Sequence, residues 1–271
     1  MTDPVYDKFY ALLEQKTGIC LDETKQYLIE ARLANLLKAS GNDTMVDFLG
    51  TLTGSPVGEL HWQAFEALTT NETLFFRDRP FFDALAYHIL PGIIQQKKAD
   101  RTLRISCSAV STGQEAYSVV MLLKQFFPEL NGWDIYLQAT DISNKALERA
   151  RLGVYSKTEV ERGLDAGQIQ KFFTRTPDGR YEVIPAIRDA VTFLPSNLLE
   201  PSPAYPKFDL ILLRNVLIYF SQATKDRVLE KMHRQLNTAG GVLALGSTES
   251  ILSGKLFKMH QYGKISCYTP L

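Results

Sequence analysis

From Met1 to Thr70 the apolar positions recur at helical spacing. Phe9, Leu12 and Leu13, with Lys16, begin one amphipathic pattern; Tyr27, Leu28, Ala31, Leu33, Leu36 and Leu37 form a second. Gly18, Gly41 and Gly54-Ser55-Pro56 punctuate the segment, which predicts a small helical bundle. After Arg77 the pattern changes to strands alternating with helices. Leu103 to Val110, Ile135 to Ile142, Val191 to Leu194, Phe208 to Leu213 and Val242 to Gly246 are apolar and short, as buried strands are. Between them, Gly113 to Phe127 carries Ala116, Val119, Val120, Leu123 and Phe127 on one helical face. Lys145 to Leu152 is a helix that Gly153 can end, and Ser221 to Leu236 is a helix ended by Ala239-Gly240-Gly241. Phe257 to Thr269 alternates around Gly263 like an antiparallel hairpin. This order predicts an α/β fold, a doubly wound, mostly parallel sheet with an antiparallel edge.

One stretch breaks the rhythm. Tyr155 to Ala190 reads as a short helix, Ala166 to Phe173, and a hairpin of Thr174–Thr176 with Arg180–Ile184. Its Pro177-Asp178-Gly179 contains the Asp-Gly signal of a two-residue turn. The expected layout is therefore a helical domain over residues 1–75 and an α/β domain over 76–271, with a small antiparallel β-subdomain inserted at 155–190.

Composition narrows the function classes. Lys+Arg and Asp+Glu stand at 30 each, so nothing in the net charge argues for a nucleic-acid partner. In the helical segment the acids outnumber the bases, which are Lys8, Lys16, Lys25, Arg32 and Lys38. The amino terminus carries Asp3, Asp7 and Lys8 and no apolar h-region, so it does not read as a signal peptide. Leu210 to Phe220 is too short to span a bilayer and contains Arg214 and Asn215, so no membrane insertion is expected. Cys20, Cys107 and Cys267 are too widely spaced for a disulfide framework or a zinc site; a reducing cytoplasm is the simplest setting, and no metal is expected.

In an open α/β sheet a ligand sits beyond the carboxyl ends of the strands, at the first strand–helix turn. Here that turn is Ser108-Ala109-Val110-Ser111-Thr112-Gly113-Gln114-Glu115. Ser111 with Gln114, or Thr112 with Glu115, also has capping-box spacing, so these polar residues either cap the helix or meet a ligand. Asp141, at the end of the second strand, either accepts from ribose hydroxyls or caps the helix beginning near Ser143. A dinucleotide site needs three glycines to bring the backbone onto a pyrophosphate, and an acid about 20 residues further on. This turn has Gly113 alone, and its acid lies further away. S-adenosylmethionine has no phosphate, and its sulfonium and amino group suit an acid such as Glu115. The pattern favours S-adenosylmethionine over a nicotinamide cofactor.

Four blocks carry a family resemblance. Thr69-Thr70-Asn71-Glu72-Thr73-Leu74-Phe75-Phe76-Arg77 resembles the TTNxTxFFR signature of the chemotaxis receptor methyltransferases, the CheR family. Phe208 to Phe220 resembles that family's FD-x4-RNVxIYF segment. Ser111-Thr112-Gly113-Gln114-Glu115-Ala116-Tyr117-Ser118 is similar to its STGEEPYS turn, and Ala139-Thr140-Asp141-Ile142-Ser143 to the end of its second strand. Any block alone is weak, but four in register over nearly the whole chain are specific. Ala116 stands where the family usually has proline, and Gln114 replaces its first acid; both departures bear on loop stiffness and cofactor affinity.

The resemblance implies a Rossmann-like, class I S-adenosylmethionine methyltransferase that methylates glutamates of methyl-accepting chemotaxis receptors and releases S-adenosylhomocysteine. It implies that Asn71, Thr73 and Arg77 lie over the cofactor, that Glu115 meets its methionine end and Asp141 its ribose. Asn197 and Leu198 would flank the adenine, Arg214 and Asn215 would complete the wall, and Tyr219 would lie close to the transferring methyl. Phe75 and Phe76 read as core. Arg77 and Tyr219 are the expected catalytic residues, since a glutamate carboxylate is ionised at neutral pH and needs no general base. His61, His88, His233 and His260 fall outside every motif. The expected partner is the cytoplasmic coiled-coil region of the receptors, met by Lys25, Arg32 and Lys38 of a monomeric enzyme. The short hairpin suggests independence from a receptor carboxyl-terminal peptide. The rival reading is a non-catalytic adaptor that keeps the fold and binds receptor or nucleotide.

Overall fold

The structure is a computed structural model that describes residues 3–201, 207–252 and 254–271. The chain divides into two units: Met1–Thr70 with Asn197–Leu199 and Tyr219–Arg227, and Asn71–Ser196 with Glu200–Ile218 and Val228–Leu271.

The first unit holds helices α1 (Pro4–Thr17), α2 (Gln26–Ser40), α3 (Met45–Gly54) and α4 (Glu59–Leu68). Local chemistry sets their ends. The Asp3 carboxylate accepts from the Val5 N–H (3.0 Å) and Pro4 occupies the first turn of α1, where its missing N–H costs nothing. Gly18 then stops the helix at φ 81°, a left-handed conformation that glycine adopts freely. Phe9, Leu13, Ile29, Leu33, Phe48, Leu49, Leu52 and Phe65 form the core of this unit. Each such side chain contributes about 1.5–3 kcal/mol by leaving water. His61 is part of that core: its Nδ1 accepts from the Gly58 N–H (3.1 Å) and its Nε2 donates to the Leu52 carbonyl (2.7 Å). The α2 stripe differs from the pattern expected. Ile29 and Leu33, one turn apart, are buried, whereas Tyr27 and Ala31 are exposed. Helical spacing alone does not say which of two overlapping stripes meets a neighbour.

The second unit contains β1 (Thr102–Ser108), β2 (Asp134–Asp141), β3 (Val154–Tyr155), β4 (Phe173–Arg175), β5 (Tyr181–Val183), β6 (Val191–Pro195), β7 (Leu210–Leu213), β8 (Val242–Leu245), β9 (Phe257–Tyr262) and β10 (Ile265–Pro270). Seven strands form one sheet in the order β6-β2-β1-β7-β8-β10-β9. The first five of these run parallel, and β10 pairs antiparallel with both β8 and β9. The mostly parallel sheet with an antiparallel edge is the one expected. From β1 the chain steps outward to β2 and β6, then returns to β7 on the other side of β1. The switch point therefore falls between β1 and β7, where a ligand crevice forms in such sheets. The register levels the carboxyl ends there: Ser108 pairs with Thr140 on one side and Leu213 on the other, and Leu213 with Leu245. All four residues of β7 are buried, as strands covered on both faces must be.

Asp209, just before β7, ties the amino-terminal ends together. Its buried carboxylate accepts from the Arg104 N–H (2.9 Å) and the Asn237 amide (3.2 Å) and pairs with Lys97 (3.1 Å). Lys97 closes α6 (Leu90–Lys97), which continues from α5 (Arg79–Ala84) through a π-turn at Leu85–Ile89. Helices α7 (Gln114–Phe126) and α8 (Asn144–Leu152) follow β1 and β2. Helices α9 (Lys157–Glu161), α10 (Ala166–Phe172) and α11 (Pro185–Arg188) lie in the insertion, and α12 (Gln222–Gln235) precedes β8.

Three expectations change. Strand β1 stops at Ser108, not Val110, because Ala109 (φ 57°) and Ser111 (φ 54°) turn left-handed and take the chain out of the sheet. The inserted sheet is three-stranded, β3-β5-β4, and begins at Val154, one residue before the expected start. Its hairpin does not use a two-residue turn. Thr176 N–H bonds the Arg180 carbonyl (2.9 Å), Gly179 N–H bonds the Thr176 carbonyl (2.9 Å), and only Gly179 is left-handed (φ 83°), so Pro177-Asp178-Gly179 forms a three-residue loop. A two-residue type I′ turn at Asp178-Gly179 needs positive φ at both residues, and Asp178 does not adopt it. Among the described residues no helix is long and apolar enough to cross a membrane.

Candidate cofactor and active site

The turn between β1 and α7 is held from several sides. Val110 N–H bonds the Thr140 carbonyl (2.9 Å), and Ser111 N–H bonds Oδ2 of Asp141 (2.7 Å). The other Asp141 oxygen accepts from the Ser143 N–H (2.9 Å). Asp141 is thus a buried bridge between the ends of β1 and β2, while Ser143 itself caps α8 through its hydroxyl (3.0 Å from Ala146 N). The capping-box reading of α7 fails. Its N-cap is Gly113, with no side-chain cap; the Ser111 hydroxyl donates instead to the Asn71 carbonyl (3.0 Å), and Thr112 to the Gln114 side chain (2.8 Å). Gly113 sits at φ 96°, and a Cβ there would lie 2.9 Å from that of Ala150. This glycine serves a left-handed turn and close packing on α8, not a pyrophosphate. The Tyr155 hydroxyl, buried in the insertion, donates to the Thr112 carbonyl (2.7 Å) and steadies the turn from behind.

Beside the turn lies a buried charge cluster. Arg214, at the end of β7, pairs through Nη1 with Glu115 Oε2 (2.8 Å) and lies 3.5 Å from Asp78. Its Nη2 donates to the Arg77 carbonyl (3.1 Å), and its guanidinium covers the Phe81 ring at 4.0 Å from the centroid. Burial pushes the Glu115 carboxyl above its usual range, against the pull of Arg214. Through Nη1 and Nη2 Arg214 fixes Glu115 and the backbone at Arg77, while its buried Nε has no hydrogen-bond partner.

Arg77 itself is half-buried and donates to the Glu72 carbonyl (3.0 Å). Asp78 pairs with Arg214 instead of Arg77. Asn71 is exposed and Thr73 half-buried. Phe75 and Phe76 are core residues: Phe75 packs edge-on against Tyr155 (5.0 Å) and Phe173 (5.4 Å), and Phe76 N–H bonds the Ser118 hydroxyl (2.9 Å). Phe76 (φ 48°) and Asp78 (φ 69°), on either side of Arg77, are both left-handed. Of six non-glycine residues in that conformation among the described residues, five (Phe76, Asp78, Ala109, Ser111 and Asn215) lie in these site segments. Backbone strain of this kind costs about 1–3 kcal/mol per residue and gathers at functional sites.

Asn215 (φ 59°) is held by Glu249, a residue that sequence reasoning missed. Glu249 Oε2 accepts from the Asn215 N–H and the Gly246 N–H, both at 2.7 Å. The legible signal was Gly246, at the carboxyl end of β8, the same position that Ser108, Asp141 and Arg214 hold on their strands.

The remaining expected residues belong to the first unit. Asn197 is buried, donating to the Lys16 carbonyl (2.7 Å) and accepting from the Leu199 N–H (2.9 Å); Leu198 is half-buried. Tyr219 ends a short 3-10 turn, Leu217–Tyr219, and its carbonyl accepts from the Cys20 N–H (2.9 Å). Lys25 and Lys38 are exposed. Arg32 is not a free surface cation. Its guanidinium donates to the Leu68 (2.8 Å) and Thr69 (3.0 Å) carbonyls, closing the end of α4, where unpaired carbonyls attract a cation.

The site fits S-adenosylmethionine. The turn's Val110, Ser111 and Gly113 N–H groups are already bonded within the protein, so they offer no pyrophosphate cradle, and Glu249 Oε1 is a buried acceptor without a partner. Among the described residues no group of acids, cysteines and histidines is arranged to hold a metal.

An open sheet of this strand order, with such a site at its switch point, defines a nucleoside-binding α/β domain of the methyltransferase type. Residues 71–265 match the CheR methyltransferase SAM-binding domain and residues 4–69 the CheR methyltransferase all-alpha domain. The chain is 36% identical to the chemotaxis protein methyltransferase Cher2 of Pseudomonas putida, over 91% of this chain and 90% of that one. It is 38% identical to the chemotaxis protein methyltransferase of Vibrio parahaemolyticus, over 93% and 90% of the two chains. With chemotaxis protein methyltransferase 1 of Pseudomonas aeruginosa it shares 36% identity, over 91% and 90%. The chain belongs to the CheR methyltransferase family, and its cofactor is S-adenosylmethionine.

Proposed function

We propose that the protein is a protein-glutamate O-methyltransferase that methylates the cytoplasmic coiled-coil region of methyl-accepting chemotaxis receptors. The observation that carries this reading is the half-buried Arg77 guanidinium, presented between two left-handed residues beside the Arg214–Glu115 pair. A planar guanidinium is suited to orient a carboxylate, and lysine would do so less well. Arg77 holds one carboxylate oxygen and leaves the other free to attack, because engaging both would quench the nucleophile. Glutamate is already ionised at neutral pH, so no side chain needs to act as base. The rest of the work is positioning in a partly dry site.

When bound, S-adenosylmethionine supplies an electrophilic methyl group on a cationic sulfur and leaves as S-adenosylhomocysteine. Asp141 would hold its ribose and Glu115 its methionine end, with Arg214 keeping Glu115 oriented. Asn71, Thr73, Arg77, Asn215, Asn197, Leu198 and Tyr219 keep the roles that their motif positions suggest. Lys25 and Lys38 are proposed receptor contacts, while Arg32 supports α4. The protein is proposed to act in the cytoplasm as a monomer. Its three-residue hairpin strands and short loop support independence from a receptor carboxyl-terminal peptide; tight binding of such a peptide in calorimetry would overturn that point. An adaptor without turnover is not favoured, since Arg77, Asn215 and Tyr219 are intact.

The test is incubation with labelled S-adenosylmethionine and receptor-containing membranes. Base-labile label released as methanol is the expected result; stable label, or none, would overturn the glutamate assignment.

A further inference from the structure

Gly163 lies in the insertion, between α9 and α10, outside the four motif blocks. Its backbone runs so close to Phe75 that a Cβ at this position would lie 1.8 Å from the Phe75 carbonyl oxygen, 2.7 Å from its carbonyl carbon and 3.2 Å from its Cα. All three are main-chain atoms, so no side chain can turn aside to make room, and only glycine allows the approach. The Gly163 carbonyl accepts from Arg79 Nη2 at 2.9 Å, and the Arg79 guanidinium lies 5.5 Å from the centroid of the Phe76 ring. One residue of the insertion therefore meets the chain two positions before Arg77 and two positions after it.

The insertion is also anchored to the cofactor side. Tyr155 pairs with Tyr181 in the inserted sheet, meets the Phe75 ring edge-on at 5.0 Å and gives its hydroxyl to the Thr112 carbonyl at 2.7 Å. The Arg77 segment and the turn between β1 and α7 thus share one buried support. Phe76, left-handed at φ 48°, needs it, because a bulky side chain resists that conformation and persists there only where its surroundings fix it. The acids expected to meet the cofactor are held separately. Glu115 is bonded to Arg214, and Asp141 accepts from the Ser111 and Ser143 N–H groups. A disturbance at Gly163 therefore reaches Arg77 before it reaches them.

We propose that Gly163 is a positioning residue for methyl transfer: its bare backbone seats the insertion against Phe75 and Arg79 and so fixes where Arg77 stands relative to the cofactor turn. This rests on the assignment of Arg77 to the substrate carboxylate. The inserted subdomain then sets the line of attack, acting on transfer through Arg77.

Steady-state transfer of labelled methyl to receptor membranes, combined with calorimetric titration of S-adenosylmethionine, tests it on Gly163→Ala and Arg79→Ala. Gly163→Ala should lower kcat about tenfold or more, because a small misplacement of an orienting group is costly, while the Kd for S-adenosylmethionine stays within about twofold of wild type. Arg79 is exposed, so Arg79→Ala should fold as the wild type does. It should lower kcat about threefold with the same unchanged Kd, and it decides the question if Gly163→Ala does not fold. A residue serving stability alone would lower the melting temperature and leave kcat per folded molecule as it was. Unchanged kcat in Arg79→Ala, or in a folded Gly163→Ala, overturns the proposal. So does a Kd that rises in step with the lost transfer, which would mean general disruption of the site. A wild type that binds S-adenosylmethionine yet transfers no base-labile label would overturn the reading of Arg77 and the glutamate substrate, and this inference with it, before any variant is compared.

Discussion

Arg214 and Glu115 lie 99 positions apart in the chain and meet at 2.8 Å, with the guanidinium packed on Phe81 and almost wholly out of water. One buried cation thereby locks the end of β7 to the first turn of α7, where a carboxylate is also favoured by the helix dipole. Its bond to the Arg77 carbonyl extends the lock to the segment that carries Arg77.

Removing one partner of that pair should cost more than removing both. Arg214→Ala leaves Glu115 buried and uncompensated, with an expected loss of about 3–5 kcal/mol. Arg214→Met combined with Glu115→Gln should lose less. Urea unfolding of the two variants measures the difference, and an equal or larger loss in the double variant would contradict it.

Arg77→Ala should reduce methyl transfer to receptor membranes by roughly two orders of magnitude, the scale on which lost substrate orientation acts. S-adenosylmethionine binding should stay largely intact, because the contact from Arg214 goes to the Arg77 backbone carbonyl, which the substitution keeps. Full transfer activity would be decisive against a role for this guanidinium.

Arg32 and the two exposed lysines should separate cleanly. Arg32→Ala strips the Leu68 and Thr69 carbonyls of their donor and should lower stability by about 1–3 kcal/mol. Lys25→Glu with Lys38→Glu should leave the melting temperature unchanged and raise the KM for receptor, most clearly at low salt. If the lysine pair shifts the melting temperature and not the KM, the receptor contact lies elsewhere.

Glu159 provides a pH dependence with a definite sign. Partial burial alone would raise its pKa, but bonds from the Ser156 backbone and hydroxyl and the ion pair with Arg149 outweigh burial and hold it below the usual range. A depressed carboxyl stabilises the fold above its unfolded pKa, and that contribution is lost as pH falls through the folded value. The stability gap between wild type and Glu159→Gln should therefore be full at pH 7 and close as the solution is acidified through and below the ordinary carboxylate range. A gap independent of pH in chemical unfolding would exclude the ionised carboxylate as its source.

Much of this protein is legible in sequence because the causes are local. Alternation of apolar strands with amphipathic helices gives β1, β2, α7 and α8, and Gly18, Gly41 and Gly153 end their helices by a conformation that most other residues resist. The single-glycine turn and the four motif blocks likewise identify the cofactor side from short stretches of chain. Tertiary structure decided what depends on distant partners. Ser111 gives its hydroxyl to Asn71 rather than to a cap, Asp141 spans two turns, Arg32 closes another helix, and Glu249 reaches back to Asn215. None of these has a periodicity, because apart from the local Ser143–Asp141 bond each joins residues that folding alone brings together. The left-handed Phe76 is equally silent in sequence: its side chain resists that conformation and only the surrounding structure holds it there, whereas Asp78 and Asn215 are of the types that tolerate it.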